Sequence, residues 1–135
     1  MIKFLIAIAT PFLFSSTLVF AESMDPVFAK CTSKKEDKIK YSQCLDTVKI
    51  KIDRELETWV NNQLFILEEI ARTTGRKSAY DMFKRSQKNF VTFRDNNCKW
   101  QFLAQLPSNA SAPTYKECYI LTSKDRIKEL SRLAR

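Results

Sequence analysis

The sequence predicts an all-α protein: a small antiparallel helical bundle, made of a hairpin of two long helices plus a shorter C-terminal helix, stapled by two disulfides. Three observations carry this expectation. The 135 residues include a single glycine, Gly75, too few turn residues for a sheet protein. The apolar residues recur at steps of three and four, the helical period. Four cysteines, Cys31, Cys44, Cys98 and Cys118, follow what reads as an export signal, so they are expected in a compartment where thiols pair.

The signal occupies residues 1–21. It has one charge at Lys3, an apolar run from Phe4 to Phe20, and Val19-Phe20-Ala21 as a small-residue exit for a signal peptidase. A retained membrane anchor is the competing reading, but the run is barely long enough to span a bilayer and contains Thr10, Pro11, Ser15 and Ser16. No cysteine follows the exit directly, so no lipid attachment point stands there. The expected product is periplasmic or secreted, with no stable membrane insertion after cleavage, and residues 22–135 form one helical domain.

From about Asp46 to Arg72 the residues Val48, Ile52, Leu56, Trp59, Val60, Leu64, Leu67 and Ile70 mark one face of a long helix. Thr73-Thr74-Gly75 ends it, with Gly75 suited to the left-handed position after a helix. A second helix begins at Ser78, where Ser78-x-x-Asp81 resembles a capping box, and runs to about Leu103 through Tyr80, Phe83, Phe90, Phe93 or Arg94, and Cys98. The short turn between the two makes them antiparallel. Leu106 to Tyr115 holds two prolines and small polar residues and reads as a loop. Thr114-x-x-Glu117 is the expected cap of a third helix carrying Cys118, Leu121, Ile127, Leu130 and Ala134. Thr32 to Lys40, with Ser33-x-x-Glu36, is expected to form a short helix ahead of the first long one.

Wide cysteine spacing and the absence of histidine argue against a zinc site, and a thiol nucleophile would lack its base. No metal and no cofactor are expected. Four cysteines allow three pairings. On one straight helix residues 31 and 44 would lie about 20 Å apart, so joining them requires a chain break, placed here at Tyr41-Ser42-Gln43. Cys98 and Cys118 flank the proline-containing loop. The favoured pairs are therefore Cys31 with Cys44 and Cys98 with Cys118.

Without Lys3 the chain carries 22 basic and 15 acidic residues, a net charge of +7. Such a surface suits anionic glycan, membrane surfaces, nucleic acid or acidic proteins, although interspersed charge is also an ordinary solvated state. Nucleic acid is disfavoured by the compartment and by the scattered basic residues. Catalytic parts are lacking as well: there is no histidine and no phosphate-cradling loop, and Glu68 and Glu69 are neighbours that do not face each other on a helix. No catalytic residue is assigned and no enzyme is expected.

Tyr41-Ser42-Gln43-Cys44-Leu45, Asp53-x-x-Leu56, Gln87-x-x-Phe90-x-x-Phe93-Arg94-Asp95-x-x-Cys98 and Cys118-x-x-x-Thr122-x-x-x-Arg126-x-x-x-Leu130 together resemble the LprI-like lysozyme-inhibitor family of small exported bacterial proteins. Phe90 stands where that family often has Trp. The resemblance implies a disulfide-bonded helical domain whose partner is a lysozyme or another peptidoglycan hydrolase, blocked by protein–protein binding, with an immunity protein against a rival's toxin as one form of that role. The alternative is a basic envelope-binding or scaffold protein for anionic glycan or lipid. The motif residues Gln87, Phe90, Phe93, Arg94, Asp95 and Arg126 are expected to hold the fold. Cationic lysozymes repel a cationic inhibitor at long range, but the paired carboxylates of a lysozyme cleft offer a local anionic hole. The residues expected to reach it are Ser108, Asn109, Ser111, Tyr115 and Lys116, on the loop between helices two and three. The turn from Thr73 to Lys77, with Arg76 and Lys77 at its tip, is the second candidate.

Overall fold

A computed structural model describes residues 26–133; the expected signal at 1–21 and Ala134 lie outside the described residues. Four helices follow one another: α1 (Pro26–Thr32), α2 (Lys38–Thr74), α3 (Ser78–Ala104) and α4 (Ser111–Leu133). No strand occurs among the described residues.

Cross-links between helices set their directions. Going along α4, Cys118 bonds Cys98, Arg94 reaches Ser123, and Arg126 reaches Gln87, so α3 and α4 are antiparallel. On the other side Glu117 and Lys116 meet Tyr41 and Ser42, while Tyr119 meets Asp53 further on, so α2 and α4 run parallel. The two long helices are consequently antiparallel, as expected from their short connection. The principal core joins Phe28, Tyr41, Leu45, Val48, Ile52 and Leu56 to Ile120, Ile127 and Leu130, with Trp59, Val60, Phe83 and Phe90 packed at its margin.

The N-terminal segment departs from the expectation. The helix at the start is Pro26–Thr32, and the stretch expected to be helical from Thr32 contains the turn instead. Ser33 donates its hydroxyl back to the Lys30 carbonyl and does not cap a new helix. Asp37 does so: its carboxylate accepts from the amides of Ile39 at 3.2 Å and Lys40 at 3.1 Å. The Lys40 amide foremost holds the Asp37 carboxyl below its ordinary pKa. The long helix therefore starts at Lys38, eight residues before Asp46, and Tyr41-Ser42-Gln43 are helical. The break that lets Cys31 reach Cys44 lies at 33–37, and the two Cα atoms are 5.6 Å apart. With the cap at Asp37 the helix runs through 41–43 and carries Tyr41, 2 % exposed, into the core.

At the far end Gly75 adopts φ +70° and its amide donates to the Ala71 carbonyl at 2.9 Å, the left-handed stop the sequence predicts. Ser78 opens α3 but caps nothing; Lys77 is the cap position and its ammonium pairs with Asp81 at 2.7 Å. Likewise α4 begins at Ser111, so Thr114 is already inside the helix, its amide bonded to the Ala110 carbonyl. The connection between α3 and α4 is only 105–110. Leu121, expected in the core, is 47 % exposed, and Ile120 is fully buried in its place. Because α4 packs against both α2 and α3, its buried face is wide and centres on Tyr119, Ile120, Ser123, Ile127 and Leu130.

Full burial of Leu45 predicts that Leu45→Ala lowers unfolding free energy by about 2 to 5 kcal/mol in urea titration. Phe65→Ala, at a 70 % exposed position, is expected to change it by less than about 0.5 kcal/mol. Nothing lies within 4 Å of a Cβ built at Gly75, so the cost of Gly75→Ala comes from its positive φ alone, about 1 kcal/mol in the same assay.

Candidate functional site

Polar side chains occupy the seam where α2, α3 and α4 meet. Arg94, 6 % exposed, lays its guanidinium carbon 3.8 Å from the Tyr119 ring centroid and 5.7 Å from that of Phe90. It donates to Asp95 at 3.0 Å and to Ser123 at 3.3 Å. The Tyr119 hydroxyl donates to Asp53 Oδ1 at 2.7 Å, and Lys49 donates to Asp53 Oδ2 at 2.8 Å from above the Tyr119 ring. One turn further along, Arg126 reaches Gln87 at 3.2 Å and Glu129 at 2.8 Å beside the rings of Phe83 and Phe90. Phe90 thus lies between two guanidinium groups. The motif residues Gln87, Phe90, Arg94, Asp95 and Arg126 all meet in this seam.

Phe93 does not. Of the two residues the helical period left open, Arg94 takes the inward position and Phe93 is 60 % exposed. Hydropathy points to the opposite assignment. Arg94 faces inward because Tyr119, Ser123 and Phe90 surround its charge with ring faces and an acceptor.

The Cys98–Cys118 bond, with Cα atoms 5.4 Å apart, fixes the other end of the seam and the base of the 105–110 turn. That turn is internally bonded. Ser108 donates its amide to the Gln105 carbonyl at 2.9 Å, its hydroxyl oxygen accepts the Ala110 amide at 3.1 Å, and the Ser111 amide returns to the Ser108 carbonyl at 3.1 Å. The Leu106–Pro107 peptide is cis. Ser108 and Asn109 stand exposed at the tip.

The other three expected contact residues sit differently. Ser111 is the first residue of α4 and only 7 % exposed. Tyr115 is half-buried, lining a groove of ≈ 340 Å³ with Lys99, Phe102, Ala112 and Lys116. Lys116 turns its ammonium onto α2, against Asp46 at 2.6 Å and the Ser42 hydroxyl at 2.9 Å. Only Ser108 and Asn109 are thus brought together on an exposed tip, and Tyr115 lies in the groove beside Phe102 and Ala112. In the alternative turn, Lys77 is paired with Asp81 and the Arg76 amide donates to the Thr74 hydroxyl.

Among the described residues no group of three or more His, Cys, Asp or Glu side chains is placed to hold a metal ion, and no helix is long and apolar enough to cross a membrane. Both disulfides are closed, a state that fits an oxidising compartment outside the cytoplasm.

Two buried phenols make stability pH-dependent. Burial first, then the hydrogen bond to Glu117, raises the Tyr41 pKa far above its ordinary value; burial first, then Asp53, raises that of Tyr119, against the opposing charge of Arg94. A raised folded-state pKa means the contribution is complete below the ordinary phenol value of 10.0 and is lost as pH rises beyond it. Lys49 acts in the same direction: burial opposes its charge, but Asp53 and Tyr119 outweigh that and raise its pKa. The midpoint of thermal unfolding should therefore drop above about pH 10. In a Tyr41→Phe, Tyr119→Phe variant that drop should be shallower, as followed by circular dichroism.

Comparison with known proteins adds one positive finding. No curated protein and no solved structure matches the chain significantly. The family model described as lysozyme inhibitor LprI matches residues 29–130, a span that runs from α1 through both disulfides and the whole polar seam to Leu130 in α4. The chain belongs to that family of lysozyme inhibitors.

Proposed function

We propose that this protein is exported to the periplasm or beyond and there inhibits a lysozyme or another peptidoglycan-cleaving glycosidase by direct binding, without catalysis of its own. The observation that carries this reading is the family match over 29–130. The turn at 105–110 supports it physically. A cleft-blocking segment must protrude and must lose little freedom on binding. Ser108 and Asn109 protrude, and the turn's own hydrogen bonds together with the Cys98–Cys118 bridge hold them in place. Asn109 offers two donors and an acceptor, and the Ser108 hydroxyl can still donate to a cleft carboxylate. Tyr115 supplies apolar area in the groove it lines with Phe102 and Ala112. Lys116 contributes by holding α4 onto α2.

The test is a cell-wall turbidity assay with c-type, g-type and i-type lysozymes and bacterial muramidases, titrated with mature oxidised protein. Saturable one-to-one inhibition of at least one enzyme is expected; no inhibition of any at micromolar protein would refute the reading. Replacing Ser108 and Asn109 with glycine should weaken inhibition about tenfold with little change in thermal midpoint. Lys116→Ala should instead lower stability by about 1 kcal/mol, since it strands Asp46 and Ser42 at a partly buried contact.

A further inference from the structure

One face of α3 is explained neither by the core nor by the seam. Phe93 and Trp100 are 60 % and 59 % exposed, although each is large and apolar. Seven residues apart, they fall within about 20° of one another around the helix and about 10 Å apart along it. Around them lie Asn89, Thr92, Asn96 and Asn97, and together the six residues line a shallow depression of ≈ 510 Å³. None of the six is charged, on a chain in which 28 % of residues are. The Trp100 indole is held in place: its Nε1 donates to Asn97 Oδ1 at 3.1 Å, and the Asn97 amide reaches the Cys118 sulfur at 3.7 Å. The side-chain amides of Asn89 and Asn96 make no hydrogen bond among the described residues.

Exposed rings interleaved with amides match the chemistry of a sugar polymer, whose pyranose rings carry an apolar C–H face and a rim of hydroxyl and acetamido groups. In a β-1,4-linked glycan, neighbouring sugars are flipped, so the rings that present the same face are one disaccharide unit apart. The Phe93–Trp100 separation is close to that unit. A helix face that docks in a groove carries apolar anchors at i, i+3, i+4 and i+7; here the i+3 and i+4 positions from Phe93 are Asn96 and Asn97. Along one edge of the stripe, Lys88 and Lys99 are eleven residues apart and nearly in line on the helix. Neither is in an ion pair among the described residues, whereas the nearby Asp95 carboxylate is engaged by Arg94. The edge is therefore cationic beside a neutral centre. Peptidoglycan strands have the complementary arrangement, neutral sugar rings with carboxylates projecting from the lactyl and peptide stems on alternate sugars.

We propose that the Phe93–Trp100 stripe of α3 is a binding site for the glycan strand of peptidoglycan, with the two rings stacking on same-facing sugars, Asn89 and Asn96 bonding acetamido groups, and Lys88 and Lys99 meeting stem carboxylates. The six residues of the stripe are separate from the 105–110 turn, although Lys99 at its edge also lines the groove with Tyr115, and the proposal stands whether or not the protein inhibits a hydrolase.

Isothermal titration of the oxidised protein with a β-1,4-linked N-acetylglucosamine tetramer and with soluble, uncross-linked peptidoglycan strands tests it. Saturable binding of both is expected, tighter for the strands. The variant Phe93→Ala, Trp100→Ala should weaken both at least tenfold with its thermal midpoint kept, because both side chains are more than half exposed, while Phe93→Tyr should retain binding. Lys88→Ala with Lys99→Ala should remove the strands' advantage and its salt dependence and leave tetramer binding unchanged. Absence of binding to either glycan, or undiminished binding by the double aromatic variant, overturns the proposal. Loss of lysozyme inhibition by that variant, with no glycan binding by the parent protein, would make the stripe a protein-docking face and overturn it equally.

Discussion

Of two buried guanidinium groups, that of Arg94 organises the bundle. Arg94 is a charge almost wholly removed from water, a placement that costs several kcal/mol unless the charge is surrounded by groups that replace its hydration. Tyr119, Ser123 and Phe90 supply those groups, and they come from α4 as well as from α3 itself. Tyr119 in turn hydrogen-bonds Asp53 on α2. Asp95 pairs with Arg94 within α3, but the Tyr119 ring and the Ser123 hydroxyl reach it only when α3 and α4 are in register, so its burial selects one rotation of α3 about its axis. Rotating α3 by one residue would bury Phe93, expose Arg94, and break the connection to Tyr119.

That choice of rotation has consequences on both sides of α3. Inward, it brings Cys98 against Cys118 and Gln87 against Arg126, and the seam is closed along its length. Outward, it turns Phe93 to solvent in line with Trp100. The motif that stretches from Gln87 to Cys98 therefore contains two kinds of residue with different duties. Gln87, Phe90, Arg94 and Cys98 meet α4, Asp95 pairs with Arg94 within α3, and Phe93 is turned to water.

The two disulfides act at the same end of the molecule. Cys31–Cys44 folds α1 back onto the first turns of α2, and Cys98–Cys118 ties the end of α3 to the start of α4. Lys116 and Glu117 lie between them and reach Asp46 and Tyr41. Away from this end the fully buried positions of α2 stop at Leu56, although the helix continues to Thr74. Over those last turns the packing is looser, and Phe65 and Ile70 on α2, like Met82 on α3, are exposed. The stapled end is therefore the rigid part on which a precise contact is best built, and the 105–110 turn stands there.

Local pattern suffices for the helical class, the two long antiparallel helices and the stop at Gly75, because these depend on the helical period and on a backbone conformation only glycine adopts cheaply; it favours the two disulfide pairs found, though with the break between Cys31 and Cys44 misplaced. Its errors were at helix starts and in the choice between neighbours. Ser33, Ser78 and Thr114 all have the composition of a cap, but a capping residue is made by the chain direction entering the helix, and of the candidates among the described residues Asp37 has it. Phe93 against Arg94, and Leu121 against Ile120, are pairs one step apart on a wheel where hydropathy favours one member or neither. The tertiary structure decided them, because what faces inward depends on where Tyr119, Ser123 and Asp53 stand on other helices. Lys116 shows the same limit from the other side: its charge is plain in the sequence, but its direction follows from Asp46 and Ser42, seventy residues away in the chain and adjacent only after folding.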